Sequence, residues 1–170
     1  MSASAVDTTC EIIEKTLGRS PAFRKVEERL YVVKQGSAYV TVSVLPSKKK
    51  PERPLVRVYA QVVSGARPEA SLFRKLLVLN ARMRFGAFAF VPEGGLVLFV
   101  HSILGGATID PHELVATVGD IALTADAFDD QIVAEYGGRR MQDIVEEQAL
   151  VRVLGEEGDA LRWDEGGKAS

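Results

Sequence analysis

Hydrophobic positions change their spacing several times along the chain, and each change marks an element. Ile12, Ile13 and Leu17 recur at helical spacing behind the cap-type residues Asp7, Thr8 and Thr9, and Gly18 with Pro21 closes the pattern, predicting a short amphipathic helix. From Leu30 the period falls to two. After a Gln35-Gly36-Ser37 turn, Ala38, Val40, Val42 and Val44 share one face and Tyr39, Thr41 and Ser43 the other, which predicts a half-buried hairpin. A polar loop from Pro46 to Pro54 leads to a third strand, where Val56, Val58, Ala60 and Val62 alternate with Arg57, Tyr59 and Gln61.

Pro68 opens a second helix with Leu72, Leu76, Leu79 and Met83 on one stripe, widened by Phe73 and Leu77. Phe85 to Val91 and Leu96 to Ile103 then form a hairpin around Pro92-Glu93-Gly94-Gly95. Both faces of this hairpin are apolar: Phe88 and Phe90 oppose Ala87 and Ala89, while Val97 and Phe99 oppose Leu98 and Val100. Asp110-Pro111 starts a long helix whose stripe Leu114, Val118, Ile121, Ala125, Phe128, Ile132 runs to Tyr136. Gly137-Gly138 ends it, and Met141 to Leu154 reads as a further helix. The pattern specifies an α+β fold, with an antiparallel sheet of about five strands packed against helices in the order α-β-β-β-α-β-β-α and an extra C-terminal helix. One domain over residues 1–154 is expected, and the Gly-, Asp- and Glu-rich stretch 155–170 is expected to be a disordered tail.

Charge and chemistry narrow the function by exclusion. Lys and Arg total 21 against 23 for Asp and Glu, a formal charge of −2, so no broad field attracts nucleic acid or anionic lipid. Lys48-Lys49-Lys50 lacks interleaved aromatic residues and reads as a solvated loop tip. The single cysteine, Cys10, excludes an intramolecular disulfide and fits a reducing compartment. Met1 to Thr9 has neither a basic n-region nor an apolar h-region, and no run of about 18 apolar residues occurs, so a cytoplasmic protein without membrane association is expected. Phosphate-loop, dinucleotide-binding, nucleophile-elbow and paired-histidine motifs are missing. His101 and His112 lack a third ligand at matched spacing, and Asp126, Asp129 and Asp130 read as a solvated helix face. Neither catalysis nor a cofactor or metal is therefore expected.

The segments Leu76-Leu77-Val78-Leu79-Asn80, Phe85-Gly86-Ala87-Phe88-Ala89, the Gly94-Gly95 turn with Leu96-Val97-Leu98, and Asp110-Pro111-His112-Glu113-Leu114 before a long helix resemble the YbjN-like family. That family shares the fold of the class I type III secretion chaperones. The resemblance covers about residues 8–136 by order of elements. It implies a homodimer without a cofactor that recognises extended peptide by apolar surface or strand addition, in a chaperone-like role; the alternative is a regulatory or structural subunit with one fixed protein partner.

A hairpin apolar on both faces needs two covers. Either the long helix takes one face and another helix the other, or a second subunit or a peptide supplies the second cover. Because small alanines suit close approach of a helix of the same chain, Phe88, Phe90, Val97 and Phe99 are the expected partner-binding surface. The other assignment puts the rings in the core. The exclusions also yield a direct test: calorimetric titration with zinc, with magnesium and ATP, or with a dinucleotide should show no one-site isotherm, and a stoichiometric one would contradict the reading.

Overall fold

Alternation is enough to build the centre of the sheet. In β3 (Ala38–Leu45) and β4 (Leu55–Ser64), Val40, Val42, Val56 and Val58 are fully buried, and β-branched side chains suit such a pleated surface. The computed structural model describes residues 3–160, with side chains as far as Arg152. Around β3 and β4 lie β2 (Leu30–Gln35), β5 (Ala87–Val91) and β6 (Leu96–Leu104), the five strands expected from periodicity. Two more complete a seven-stranded sheet: β1 (Phe23–Glu27) and β7 (Arg139–Arg140). The order is β1-β2-β3-β4-β6-β5, every pair antiparallel, with β7 joined to the end of β4.

Neither additional strand carries a periodic signature. β1 is exposed at four of its five positions, so nothing apolar alternates along it. It is a strand because its backbone pairs with β2 and because the Phe23 ring stacks on Tyr31 at 5.6 Å. β7 consists of two arginines whose backbone pairs with Val63 and Ser64.

One face of the sheet is covered by two helices. α3 (Pro111–Tyr136) starts at Asp110, whose Oδ1 accepts from the His112 N–H at 2.8 Å, with Pro111 in the first turn. It runs over β4, β3 and β6. Leu114, Val118, Ile121, Ala125 and Ile132 are buried and Phe128 is half-buried, so the expected stripe is the face that meets the sheet. α1 (Ala5–Leu17) packs on α3 and β3 through Ile13 and Leu17. Its Glu14 carboxylate accepts from Lys25 Nζ at 2.7 Å and from the Tyr31 hydroxyl at 3.0 Å. The hydrogen bond from Lys25 holds the Glu14 carboxyl below its usual range, and burial pushes the Tyr31 phenol up.

α2 (Ala70–Asn80) returns the chain from β4 to the sheet edge, packing against β5 with Leu72 and Leu76 buried. β5 and β6 are joined by a tight turn in which Gly94 and Gly95 take φ of 81° and 59°. A Cβ on Gly95 would lie 2.6 Å from the Ala66 carbonyl oxygen, so this close approach requires glycine. The carbonyls of Gly94 and Gly95 accept from the N–H groups of Gly65 and Ala66 and tie the turn to the end of β4. α4 (Met141–Ala160) remains helical six positions past the expected limit at Leu154; residues 161–170, including Trp163, lie outside the described residues.

The Gly105-Gly106 loop before α3 is pinned from α1. Thr9, fully buried, accepts from the Gly106 N–H at 2.7 Å and donates to the Ala5 carbonyl at 2.6 Å. Thr9→Val keeps the shape but leaves a buried N–H without an acceptor, and should cost about 1–3 kcal/mol in chemical denaturation. A change within experimental error would mean that water replaces the hydroxyl.

Candidate functional site

The structure reverses the expected orientation of the hairpin. Phe88, Val97 and Phe99 point towards the helices, with 5%, 0% and 0% of their surface exposed, and Phe90 is half-buried against Phe73 of α2 at 5.0 Å. Phe88 lies between Phe99 at 4.8 Å and Phe128 of α3 at 5.3 Å. The physical reason is lateral distance. α3 runs over β4, β3 and β6, whereas β5 is the outermost strand on its side, so only a large ring there reaches the helix. An alanine in that position would leave a void.

The stripe on the other face is therefore left towards solvent. Register aligns it across three strands: Tyr59 faces Val100, which faces Ala87, and Gln61 faces Leu98, which faces Ala89. With Leu96, Leu45, Ser43 and Arg57 these residues line a concavity of about 780 Å³. Its floor is apolar along β5 and β6, and one wall carries the polar ends of Tyr59, Gln61 and Arg57. The alternation of β4 contained this wall, but as a solvent-facing polar stripe; that it adjoins the hairpin follows only from the β4–β6 pairing, which no local pattern encodes.

The sheet edge beside this floor is closed to further pairing at its centre. The Asn80 carboxamide, at the end of α2, accepts from the Phe88 N–H at 2.6 Å and donates to the Phe88 carbonyl at 3.1 Å. It takes both outward backbone groups of that residue, as a neighbouring strand would. Outside this clamp α2 displays Phe73, Leu77 and Val78, exposed at 38%, 69% and 46%. Leu77 and Phe73 had been expected to widen the buried stripe, and instead they form an apolar patch beside β5.

The end of the concavity at Gln61 adjoins the C-terminal elements, because Val63 pairs with Arg140 of β7. Arg140 is bidentate to Asp143 of α4, at 2.8 and 2.9 Å, and meets Asp130 of α3 at 3.0 Å. These hydrogen bonds hold the Asp143 carboxyl below its usual range and raise the guanidinium further. Asp126 accepts from the Ser37 hydroxyl in the β2–β3 turn, while burial pushes the Asp129 carboxyl up. Asp126 and Asp130 are exposed, as expected of a solvated face, and also hold neighbouring segments of the chain, whereas Asp129 is half-buried and accepts from the Asp130 N–H within α3. His101 packs edge-on to Phe85 at 5.0 Å, and His112 is exposed in the first turn of α3. Lys48, Lys49 and Lys50 are exposed in the β3–β4 loop. Among the described residues no group of three or more His, Cys, Asp and Glu side chains could hold a metal, and no helix is long and apolar enough to cross a membrane.

The antiparallel sheet, backed by α1 and α3 and left partly open and apolar on its second face, is the architecture of a peptide-binding chaperone family. The chain belongs to the TY-Chap1 family, described as "T3SS (YopN, CesT) and YbjN peptide-binding chaperone 1", whose profile matches residues 3–144. A chain in the crystal structure of the ExsC–ExsE complex shares the fold at a TM-score of 0.56 and 21% identity, covering 75% of this chain and 95% of that one. No match is found among curated protein sequences.

The two faces of the hairpin differ in what a charge does to them. Phe88→Glu places a carboxylate among Phe99 and Phe128 and should cost several kcal/mol, enough to abolish cooperative unfolding. Leu98→Glu, on the open face, should keep a native circular dichroism spectrum and melt within a few degrees of the wild type. A folded Phe88→Glu protein would contradict the placement.

Proposed function

We propose that this chain is a non-enzymatic, chaperone-like protein that binds an extended apolar segment of another protein across the open face of its sheet, and that it does so as a cytoplasmic homodimer. The observation that carries the reading is the row of Leu96, Leu98, Val100, Ala87 and Ala89, an apolar floor with a single polar wall. Large exposed apolar surfaces with a polar rim are what protein contacts use. Membership of a peptide-binding chaperone family supports the class of ligand.

Strand addition at β5 is the less suitable mode, because Asn80 already satisfies the outward backbone groups of Phe88. A segment lying on the face instead uses side chains. Fully covering one leucine or valine contributes about 1.5–3 kcal/mol. Leu96, Leu98 and Val100 are already half-buried, so covering each adds no more than about a third of that, and a micromolar complex also needs the contacts of Tyr59, Leu45 and the exposed Ala87 and Ala89. Phe73, Leu77 and Val78 of α2 are proposed as the homodimer contact, since they form an apolar patch at the opposite side of the edge strand from the floor. That separation leaves the floor free in the dimer.

A fluorescein-labelled peptide of ten residues alternating leucine with serine is a suitable probe, with a glutamate-for-leucine version as control. The wild type should bind the leucine peptide at micromolar concentration in fluorescence anisotropy, Leu98→Glu should weaken binding about tenfold or more, and Leu77→Glu should give a folded monomer by light scattering. Equal binding by wild type and Leu98→Glu would overturn the assignment of the face. A dimer unaffected by Leu77→Glu would move the subunit contact elsewhere. Capture of a single stoichiometric partner would favour the alternative role, a subunit with one fixed partner.

A further inference from the structure

We propose that β7 and α4 act as a built-in competitor for the open face: the first turns of α4 occupy the part of that face over β3 and β4, and a bound segment gains this part when α4 is released. The inference rests on the reading of the open face as the partner site.

Placement of α4 follows from what it touches. It meets β3, β4 and β7 but makes no comparable contact with α1 or α3, the helices that fill the other side of β3 and β4. Since α1 and α3 already bury the helix-facing side chains of β3 and β4, we place α4 on the opposite face. It also begins at the rim of the concavity, because Arg140, immediately before Met141, pairs with Val63, and Gln61 of the same strand belongs to the polar wall. The cover and the cavity therefore share β3 and β4 as support. What α4 shields is the continuation of the surface that Tyr59 and Gln61 begin.

Attachment is shallow. Met141 to Val145 are half-buried, but every residue from Glu146 to Arg152 is exposed, including Leu150 at 58% and Val151 at 63%. Among residues 141–152, about one and a half turns of the helix are thus docked. Ionic contacts near the surface add to this hold: Arg140 with Asp143 and Asp130, and Arg139 with Glu147 at 2.6 Å. Exposed ion pairs contribute little each and are screened by salt. An element with few buried apolar contacts opens at lower free energy than the sheet beneath it.

The junction lets α4 leave without disturbing α3. Gly137 and Gly138 take φ of 74° and 88°, and a Cβ on Gly138 would lie 2.5 Å from the Ser64 carbonyl oxygen, so the chain passes the end of β4 at a distance only glycine permits. The family match ends at residue 144, inside the first turn of α4, so most of this helix lies beyond the matched region. Since a ligand's apparent affinity falls by the fraction of protein in the competent state, docking of α4 weakens binding without touching the floor.

The test uses the full-length chain and the leucine–serine probe. Ile144→Asp with Val145→Asp removes the docked apolar side chains, and Arg140→Ala removes the ionic hold. Amide hydrogen exchange should show α4 losing protection while β3, β4 and β6 retain theirs, and the released variants should bind the probe at least about threefold more tightly than wild type. Adding 0.5 M salt to the wild type should shift affinity in the same direction. Release of α4 with unchanged or weaker affinity would overturn the proposal while leaving the open-face reading intact. So would full protection of α4 in a variant carrying all three substitutions, since the hold described here would then be wrong. If neither wild type nor released chain binds the probe, the open-face reading itself fails.

Discussion

The structure depends on how one long helix meets a sheet that is apolar on two sides. α3, at 26 residues, spans about 39 Å, and a single apolar stripe on it can cover only one face. Val56, Val58 and Ala60 in the centre bring the sheet close to the helix, and the cluster of Phe85, Phe88, Phe99 and Phe128 fills the wider space towards the edge. Graded side-chain size across the strands lets a straight helix close on the sheet without voids. Every apolar residue of opposite parity is thereby turned away from the helix. The open floor of Leu96, Leu98, Val100 and the alanines is thus a geometric consequence of the core that folds the domain.

That arrangement makes the boundaries of the sheet important. A sheet with an apolar open face and a free edge invites pairing with other chains. Asn80 answers this at β5 by donating to and accepting from the backbone of Phe88, and α2 covers the helix-facing side of the same strand through Leu72 and Leu76. Phe73 meets Phe90 there, so α2 and the edge strand behave as one unit. Edge and face thus differ: the edge is satisfied within the chain at Phe88, and the face keeps its apolar side chains partly open.

At the opposite end of the floor, residues 139–152 show how little is needed to add an element to such a sheet. Two backbone pairs, a glycine pair with positive φ and three arginine–carboxylate contacts hold β7 and the start of α4 in place. Only the backbone pair with Val63 reaches the core cluster.

Most of the architecture was legible from residue periodicity. The stripe from Leu114 to Tyr136, the two-residue period of Ala38 to Val44, and the Gly94-Gly95 turn each specify an element because the side chains to be buried lie within one helix face or one strand face. β1 and β7 were not legible, since their stability comes from backbone pairing with β2 and β4 and not from apolar side chains of their own. The sequence also showed that the Phe85 to Ile103 hairpin is apolar on both sides and would need two covers. It could not say which side faces the helix. Two apolar stripes of opposite parity are equivalent locally, and the choice is made by where β5 sits relative to α3, a distance set by strand order. For the same reason the wall of Arg57, Tyr59 and Gln61, the Asn80 clamp and the position of α4 emerge only from tertiary structure, where residues far apart in the chain become neighbours through pairing and register.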